Sequence, residues 1–454
     1  MVLVRFLTLL AAVATATAFN IPPEVYKVTG LSEFEVRSLL SGTPAGLQAR
    51  AATCPANDTS GGVVSGPKTP SALELLQRNA FVKRQGSKLT LLGQPFRMVG
   101  ANIYWLGLDE NVIPDPAYPS KTRVLEAFAT VKTMLGTTVR GHTLGISVGN
   151  PLSVEPSLGV FNNAAYEAID FAILVARIYN VKLYIPLVDN YNWYHGGKYQ
   201  FIQWHGIPFS GTGADITPPD VGAFFYNTTA IVNSFKQYVT QHLNHVNQFT
   251  GIPLKDDPTI LGWESGNELS AMRFGDGPAP TAWTKEIAAL VKSLAPNHLF
   301  GDGSNGVFLG TDQFTNKQVD IFGDHYYPQN LTTFTTHQAA VTAAGRNYLA
   351  GEVDWKDGDL VTFFHAIAKT GTAGDFYWSL FGHDDACCNY VEHNDGFSFY
   401  YLRPNATNLY VNQGKILINH AAEMNGLAAP TKFPAVACPQ WKFPRILVPP
   451  GLQL

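Results

Sequence analysis

Cysteine, methionine and charged side chains are scarce in this sequence. Only 4 cysteines and 5 methionines occur among 454 residues, and 15% of the residues are charged, against roughly 25% in an average soluble domain. No Cys-x-x-Cys pair or histidine-rich spacing is present, so we expect no metal site. The net charge of −4 gives no indication of binding to nucleic acid or to an anionic membrane.

Long apolar runs are missing too, and the one at the N-terminus is short. Residues 6–14 are apolar, follow Arg5 and precede Ala16-Thr17-Ala18. The run is too short to span a bilayer, and its flanks match a secretory signal peptide. We therefore expect residues 1–18 to be removed and the protein to be secreted and extracellular. A buried N-terminal helix is the alternative.

Two further features agree with export. Glycosylation sequons begin at Asn57, Asn227, Asn330 and Asn405. The cysteines are Cys54, Cys387, Cys388 and Cys438. An even number of cysteines in an exported chain predicts two disulfides. Adjacent cysteines rarely pair with each other, so Cys387 and Cys388 should each reach one of the other two, with the pairing left open.

The chain divides into a weakly patterned beginning and a long region of alternating elements. Residues 19–79 are rich in small and polar residues and predict a linker or loosely ordered arm. Residues 80–425 form the main domain, and residues 426–454 form a C-terminal tail. The candidate strands are residues 96–104, 137–141, 181–189, 259–265, 298–304, 319–327, 347–355 and 374–382. The candidate helices are residues 121–135, 163–180, 229–246, 281–295 and 360–370.

This alternation predicts an α/β fold with a parallel sheet, and eight strands are what a (β/α)₈ TIM barrel needs. A β-hairpin should precede the first core strand. The alternative is an open doubly wound sheet, but no Gly-x-Gly-x-x-Gly motif follows the first strand. Polar residues follow six of the eight strands, and in a barrel they would meet at one mouth.

Two carboxylates at that mouth suggest a definite chemistry. Glu268 follows the fourth strand and Glu352 ends the seventh, so the two should face each other. One carboxyl can protonate a leaving oxygen while the other attacks as an anion, as in retaining glycosidases. Glu264 lies earlier, while the strand is still running, and we expect it to pair with a strand-end arginine. Such chemistry requires no cofactor.

At this point the sequence resembles glycoside hydrolase family 5, and within it the fungal and plant endo-β-1,4-mannanases. The similar segments are FVKRQGSKLTLLGQPFRMVGANIYWL, LVDNYNWYHGGKYQFIQWHG, ILGWESGNE and DIFGDHYYP, within residues 80–425. The resemblance implies a (β/α)₈ barrel that cleaves β-1,4-mannosidic bonds by double displacement. It also implies a polysaccharide or oligosaccharide substrate, and we expect a monomer with no nucleic-acid or membrane partner.

The resemblance also implies roles for individual residues. Glu268 would be the acid/base and Glu352 the nucleophile. Arg140 and Tyr327 would hold the nucleophile, Asn267 would bind the sugar 2-hydroxyl, and His325 would lie near the acid/base. Asn190 would contact substrate. Trp378 would be the platform under the cleaved sugar, Trp105 would flank it, and Trp193 and Trp204 are candidates for outer subsites.

Two motifs depart from the family pattern. Leu269 follows the acid/base where proline is usual, and Glu352 lies in Gly-Glu-Val-Asp-Trp rather than Glu-Phe-Gly. These departures leave the sugar specificity open, so an exo-acting β-mannosidase or another β-glycosidase of the family is an alternative. A catalytically inactive carbohydrate-binding barrel is an alternative of a different class.

Overall fold

The structure of the protein is a computed structural model that describes residues 70–111, 115–384, 390–401 and 408–433. The predicted signal peptide, most of the predicted arm, the four cysteines and the sequons at Asn57 and Asn405 lie outside the described residues. In the part of the chain that is described, no helix combines the length and apolarity needed to cross a membrane.

A small antiparallel sheet precedes a closed parallel barrel of eight strands. The small sheet consists of β1 (Val82–Gln85), β2 (Lys88–Leu91) and β3 (Gln94–Phe96). The barrel strands are β4 (Met98–Asn102), β5 (Thr138–Arg140), β6 (Lys182–Pro186), β7 (Ile260–Glu264), β8 (Leu299–Gly301), β9 (Ile321–Tyr326), β10 (Asn347–Asp354) and β11 (Gly374–Trp378). They pair in chain order, and β11 pairs with β4 to close the ring. The predicted TIM barrel is confirmed, with all eight strands where the sequence places them.

Helices surround the barrel. They are α1 (Ala72–Arg78), α2 (Lys121–Thr133), α3 (Ala165–Tyr179), α4 (Lys198–Trp204), α5 (Phe224–Asn227), α6 (Thr229–Asn244), α7 (Thr281–Leu294), α8 (Leu331–Ala343), α9 (Leu360–Lys369) and α10 (Asn408–Met424). All five predicted helices are present. The sequence pattern does not predict α8, whose five threonines and low amphipathicity hide it: of its thirteen residues, only Phe334, Gln338 and Val341 are buried. Threonine is a weak helix former because its side chain is stiff against the preceding turn.

The barrel strands are buried on both faces, as expected for a parallel sheet covered by helices. One apolar cluster lies inside the barrel and includes Met98, Leu299 and Ile321 from the starts of their strands. Val82 and Leu89 of the hairpin join this cluster. The hairpin therefore closes the N-terminal end of the barrel and leaves the C-terminal end as the open mouth.

Helix α1 corrects the boundary of the predicted arm, because residues 70–79 belong to the fold. Ser71 and Glu74 form a capping box at the start of α1, which satisfies free backbone amides of the first turn. Lys182, the first residue of β6, donates from Nζ to the carbonyl oxygens of Gln77 at 2.8 Å, Ala80 at 2.9 Å and Pro258 at 2.8 Å. These bonds connect the end of α1 to the base of the barrel.

Replacing Lys182 should destabilise the fold without altering the mouth. Lys182→Met leaves three carbonyl oxygens without their donor, and we expect the free energy of unfolding to fall by about 2–4 kcal/mol. Denaturant unfolding measures this loss. Lys236→Met is the matched control, because Lys236 forms an exposed pair with Glu286 at 2.6 Å and should cost less than about 1 kcal/mol. Equal stability of the two variants would contradict the bracing role of Lys182.

Candidate active site

Arg140, the last residue of β5, is fully buried at the centre of the mouth. Its Nε donates to Oε2 of Glu264 at 2.9 Å, and its Nη2 lies 2.8 Å from the same oxygen. Its Nη1 donates to Oε1 of Glu352 at 2.9 Å, and its Nη2 to Oδ1 of Asn267 at 2.9 Å. The expected pairing of Glu264 with a strand-end arginine is therefore present, and Arg140 also reaches Glu352 as predicted.

Glu352 is buried, and donors hold both of its oxygens. Oε1 accepts from Arg140, and Oε2 accepts from the Tyr327 hydroxyl at 2.7 Å. A register shift in β10 between Ala350 and Glu352 aims the side chain at the mouth, as such irregularities do next to active sites. Burial alone would raise the pKa of Glu352. The charge of His325, a hydrogen bond from His142 and the charge of Arg140 outweigh burial and lower that pKa well below its usual range, so Glu352 is an anion.

Glu268 lies on the loop after β7 and has a different environment. Its Oε1 is 2.7 Å from His325 Nδ1, and its Oε2 accepts from the Tyr191 hydroxyl. Its backbone φ is +50°, a left-handed conformation that costs a residue other than glycine roughly 1–2 kcal/mol. The turn depends on Gly266, where a Cβ would come within 2.5 Å of the Val188 carbonyl oxygen. The strained turn directs Glu268 across the mouth.

The two carboxylates lie close together. One oxygen of Glu268, one oxygen of Glu352 and a ring nitrogen of His325 lie within 4.8 Å of one another. Burial would lower the pKa of His325, but the charges of Glu352 and Glu268 outweigh burial and raise it. These three side chains are the group best placed to hold a cation among the described residues. However, Arg140 and Tyr327 already occupy the oxygens of Glu352.

His142 lies on the other side of Glu352, with Nε2 3.5 Å from Oε1. Burial and the nearby Arg140 charge lower the pKa of His142 to about 4. The imidazole is therefore neutral at ordinary pH. Its Nε2 can accept a hydrogen bond from Arg140 or donate one to Glu352 without adding a charge to the site.

Asn267 is held by hydrogen bonds at both ends of its amide. Its oxygen accepts from Arg140, and its Nδ2 donates to Oδ1 of Asp189 at 3.2 Å. Burial raises the pKa of Asp189 to about 8 despite the Asn267 hydrogen bond. The amide thus has a fixed orientation beside Glu268. The predicted contact with the sugar 2-hydroxyl stays a prediction.

Asn190 differs from its prediction. It is 1% exposed, and its Oδ1 accepts from the backbone N–H of Ser270 at 3.1 Å. Because the β6 and β7 loops pack together at this point, Asn190 connects them rather than facing the mouth. Its burial does not support the predicted substrate contact.

The four predicted tryptophans have different positions. Trp378, at the end of β11, is partly exposed, with its ring centroid 5.1 Å from that of His142, as a platform at the mouth should be. Trp193 is 49% exposed and suits an outer subsite. Trp105 is 1% exposed and packs under the Arg123 guanidinium at 4.4 Å, so it does not flank the mouth. Trp204 ends α4 and packs against the core, which argues against an outer subsite.

Sequence reasoning missed Tyr191 as a partner of Glu268. Tyr191 lies next to Asn190 in an aromatic stretch, and the sequence pattern does not indicate which residue of that stretch faces the mouth. Its ring lies 5.9 Å from Trp193 and 5.8 Å from Phe274. The three rings form an aromatic wall on the Glu268 side of the mouth.

The departures from the family pattern have structural explanations. Leu269 donates its backbone N–H to the Gly303 carbonyl oxygen at 2.8 Å, a bond that proline cannot make. Asp354 accepts at Oδ1 from the backbone N–H groups of Lys356 at 2.7 Å and Asp357 at 3.2 Å. It therefore caps the turn after β10 instead of projecting beside Glu352.

Removing Glu264 should destabilise the protein far more than removing an exposed acid. Glu264→Ala takes one of the two carboxylates from the buried Arg140 charge, and such losses cost about 3–5 kcal/mol. Glu167→Ala is the control, because Glu167 pairs with Lys121 at 2.7 Å but is 57% exposed, a setting worth less than about 1 kcal/mol. Thermal and denaturant unfolding compare the two variants, and a similar loss in both would contradict the bracing role of Glu264.

Comparisons with known proteins identify the family of the chain. The family model "GH family 5 beta-mannosidase-like" matches residues 79–358. The chain is 33% identical over 243 residues to a putative mannan endo-1,4-β-mannosidase 5 of Oryza sativa, covering 53% of this chain and 46% of that protein. It is 30% identical over 271 residues to mannan endo-1,4-β-mannosidase 3 of Arabidopsis thaliana, covering 55% and 62%. The matches thus span about half to less than two thirds of these relatives.

A solved structure shows the same fold. The endo-1,4-β-mannanase of Rhizomucor miehei superposes with a TM-score of 0.62 at 24% identity, covering 76% of this chain and 99% of that one. The family match runs from the hairpin through β10, so it takes in seven of the eight barrel strands and both carboxylates. The chain therefore belongs to glycoside hydrolase family 5, in its β-mannosidase-like branch.

Proposed function

We propose that the protein is a secreted, retaining endo-β-1,4-mannanase in which Glu352 is the nucleophile and Glu268 the acid/base. The observation that carries the proposal is the carboxylate pair, with oxygens within 4.8 Å of each other. Retaining glycosidases have carboxyl groups about 5–5.5 Å apart, whereas inverting enzymes need roughly 6.5–9.5 Å to admit a water. A spacing this short favours a covalent glycosyl intermediate.

In the first step, Glu352 attacks the anomeric carbon, and the bond to the leaving oxygen breaks. Arg140 and Tyr327 keep Glu352 ionised and aim its oxygens. Glu268 transfers its proton to the leaving oxygen. His325, at 2.7 Å from Glu268, shares that proton before substrate enters, since the charges around it raise its pKa.

In the second step, Glu268 takes a proton from water, and that water attacks the anomeric carbon and releases Glu352. The change of role follows from charge. Once Glu352 is an ester, its negative charge is gone, so the pKa values of neighbouring acids fall. Glu268 has given its proton to the leaving oxygen and stays ionised, so it can accept a proton from the attacking water although no residue has moved.

The sugar and the location rest on separate support. The relatives named mannan endo-1,4-β-mannosidase favour β-1,4-mannan, and the aromatic wall beside Glu268 suits the flat faces of further sugar units. The signal-like N-terminus favours secretion. A product profile on manno-oligosaccharides, set beside gluco-oligosaccharides, tests both the sugar and internal cleavage. Release of single mannose units alone would contradict endo action.

Removing either carboxyl should abolish most turnover. We expect Glu268→Gln and Glu352→Gln to lower kcat on mannan by at least roughly 10²- to 10⁴-fold, the contribution of a positioned acid or base. The control is Glu286→Gln, which alters an exposed carboxyl far from the mouth and should leave kcat unchanged. Full activity in either Gln variant would refute the assignment. A wild-type protein that binds mannan without releasing reducing sugar would instead indicate an inactive binding barrel.

Azide separates the two roles. In Glu352→Gly, azide can enter the space left by the nucleophile and attack an aryl β-mannoside, which gives the α-mannosyl azide by inversion. Glu352→Gln leaves no such space and should not be rescued. Analysis of the products by NMR identifies the anomer, and a β-mannosyl azide from Glu352→Gly would contradict its role as nucleophile.

Tyr327→Phe should change the pH profile in one direction. The hydroxyl of Tyr327 stabilises the ionised form of Glu352, so its removal raises the pKa of Glu352. The acid limb of kcat/KM therefore moves to higher pH, because a larger fraction of Glu352 is protonated at a given low pH. The loss of a hydrogen bond to a charged group should also lower the plateau by roughly tenfold to hundredfold. Movement of the acid limb to lower pH would contradict this role.

A further inference from the structure

We propose that Asp395 is a positioning residue that fixes the indole of Trp378 as the sugar platform, an inference that rests on the proposed function. The indole Nε1–H of Trp378 donates to Oδ2 of Asp395 at 2.7 Å. The other carboxylate oxygen accepts from the backbone N–H of Phe397 at 2.8 Å. Each oxygen has its own donor, so the carboxylate cannot rotate without losing a hydrogen bond.

The platform is confined on its other sides by rings. Tyr104 stacks on Trp378 with ring centroids 5.6 Å apart and planes at 14°, and the ring of His142 meets it nearly edge-on. These contacts limit rotation of the indole about χ2. The bond from Nε1 to Asp395 additionally fixes the position of the N–H edge of the ring.

Asp395 can serve as a fixed point because its own segment is anchored. Phe397 accepts at its carbonyl oxygen from the backbone N–H of Ser379 at 3.1 Å and from the indole of Trp355 at 2.6 Å. Phe399 donates its N–H to the Ser379 carbonyl oxygen at 2.9 Å. These bonds attach the segment to the chain directly after β11.

The same turn reaches the nucleophile side of the mouth. The ring of Phe397 lies 5.3 Å from that of Tyr327, edge to face, and Tyr327 donates to Glu352. This turn therefore contacts both Trp378 and Tyr327, and Tyr327 in turn binds Glu352. A shift of Asp395 would change the height of the sugar above the attacking oxygen.

Charge gives Asp395 a second effect. A carboxylate that accepts from an indole N–H pushes electron density into the ring, which makes the ring face more negative. The sugar carries positive charge in an oxocarbenium-like transition state, and a negative ring face attracts positive charge. The negative ring face therefore stabilises the transition state more than the bound substrate. Loss of this stabilisation should change kcat more than KM.

The first experiment needs no substrate. In ¹H–¹⁵N spectra of the indole groups, the Trp378 signal is identified by its loss in Trp378→Phe. A hydrogen bond to a carboxylate shifts an indole proton downfield, so we expect Asp395→Ala to move this signal upfield, with a smaller movement in Asp395→Asn. An unmoved signal in Asp395→Ala overturns the proposal whether or not the protein is a mannanase.

The second experiment is kinetic. We expect kcat on mannan to fall in the order wild type, Asp395→Asn, Asp395→Ala, with a loss of at least roughly tenfold in the alanine variant, as for a hydrogen bond to a charged group. Asp359→Ala is the matched control, because Asp359 also accepts from a backbone amide, that of Thr362 at 3.1 Å, but contacts no tryptophan. Its kcat should equal that of wild type.

A double-mutant cycle then separates positioning from simple support of the turn. Trp378→Phe keeps an aromatic face but lacks the N–H donor. If Asp395 acts through Trp378, adding Asp395→Ala to Trp378→Phe causes little further loss. If the same loss persists in that background, Asp395 only supports the turn and the proposal is wrong. A wild type that cleaves no β-mannoside would refute the proposed function, while the spectra still decide the role of Asp395.

Discussion

The buried charge of Arg140 is the constraint on which the mouth of the barrel depends. A guanidinium with no exposure to water is costly unless carboxylates and hydrogen-bond acceptors surround it. Here Glu264, Glu352 and Asn267 provide them. Glu264 and Asn267 come from β7 and the loop after it, and Glu352 comes from β10. One buried charge therefore sets the relative positions of the residues that act on substrate.

This arrangement also explains why two glutamates on the same strand and its loop behave differently. Glu264 is still inside the barrel, where it forms an ion pair with Arg140. Four residues later, Glu268 has passed through a strained turn to the mouth, where its partners are His325 and Tyr191. Environment rather than residue type assigns support to one carboxyl and chemistry to the other.

The sequence alone predicts the barrel, because the alternation of strands and helices indicates it. It also predicts the positions of Glu268 and Glu352, because these carboxylates lie at strand ends. Side-chain direction beyond a strand end does not follow from such patterns. Trp105 lies three residues after the end of β4, yet it packs against Arg123 and is buried. Asn190 and Tyr191 are adjacent, and only the loop geometry reveals that the tyrosine, not the asparagine, reaches Glu268. Asp395 lies 17 residues from Trp378, and no local pattern links the two.

The leucine after the acid/base shows how such a site tolerates a change in its motif. Glu268 sits in a left-handed conformation that its neighbours must hold. Leu269 contributes to this support through its N–H, which bonds to the Gly303 carbonyl oxygen of the β8 loop at 2.8 Å. A proline would restrict φ but would lose this bond. The backbone at position 269 can be restricted either by a proline ring or by the hydrogen bond of Leu269. The replacement of proline by leucine therefore does not require a different chemistry.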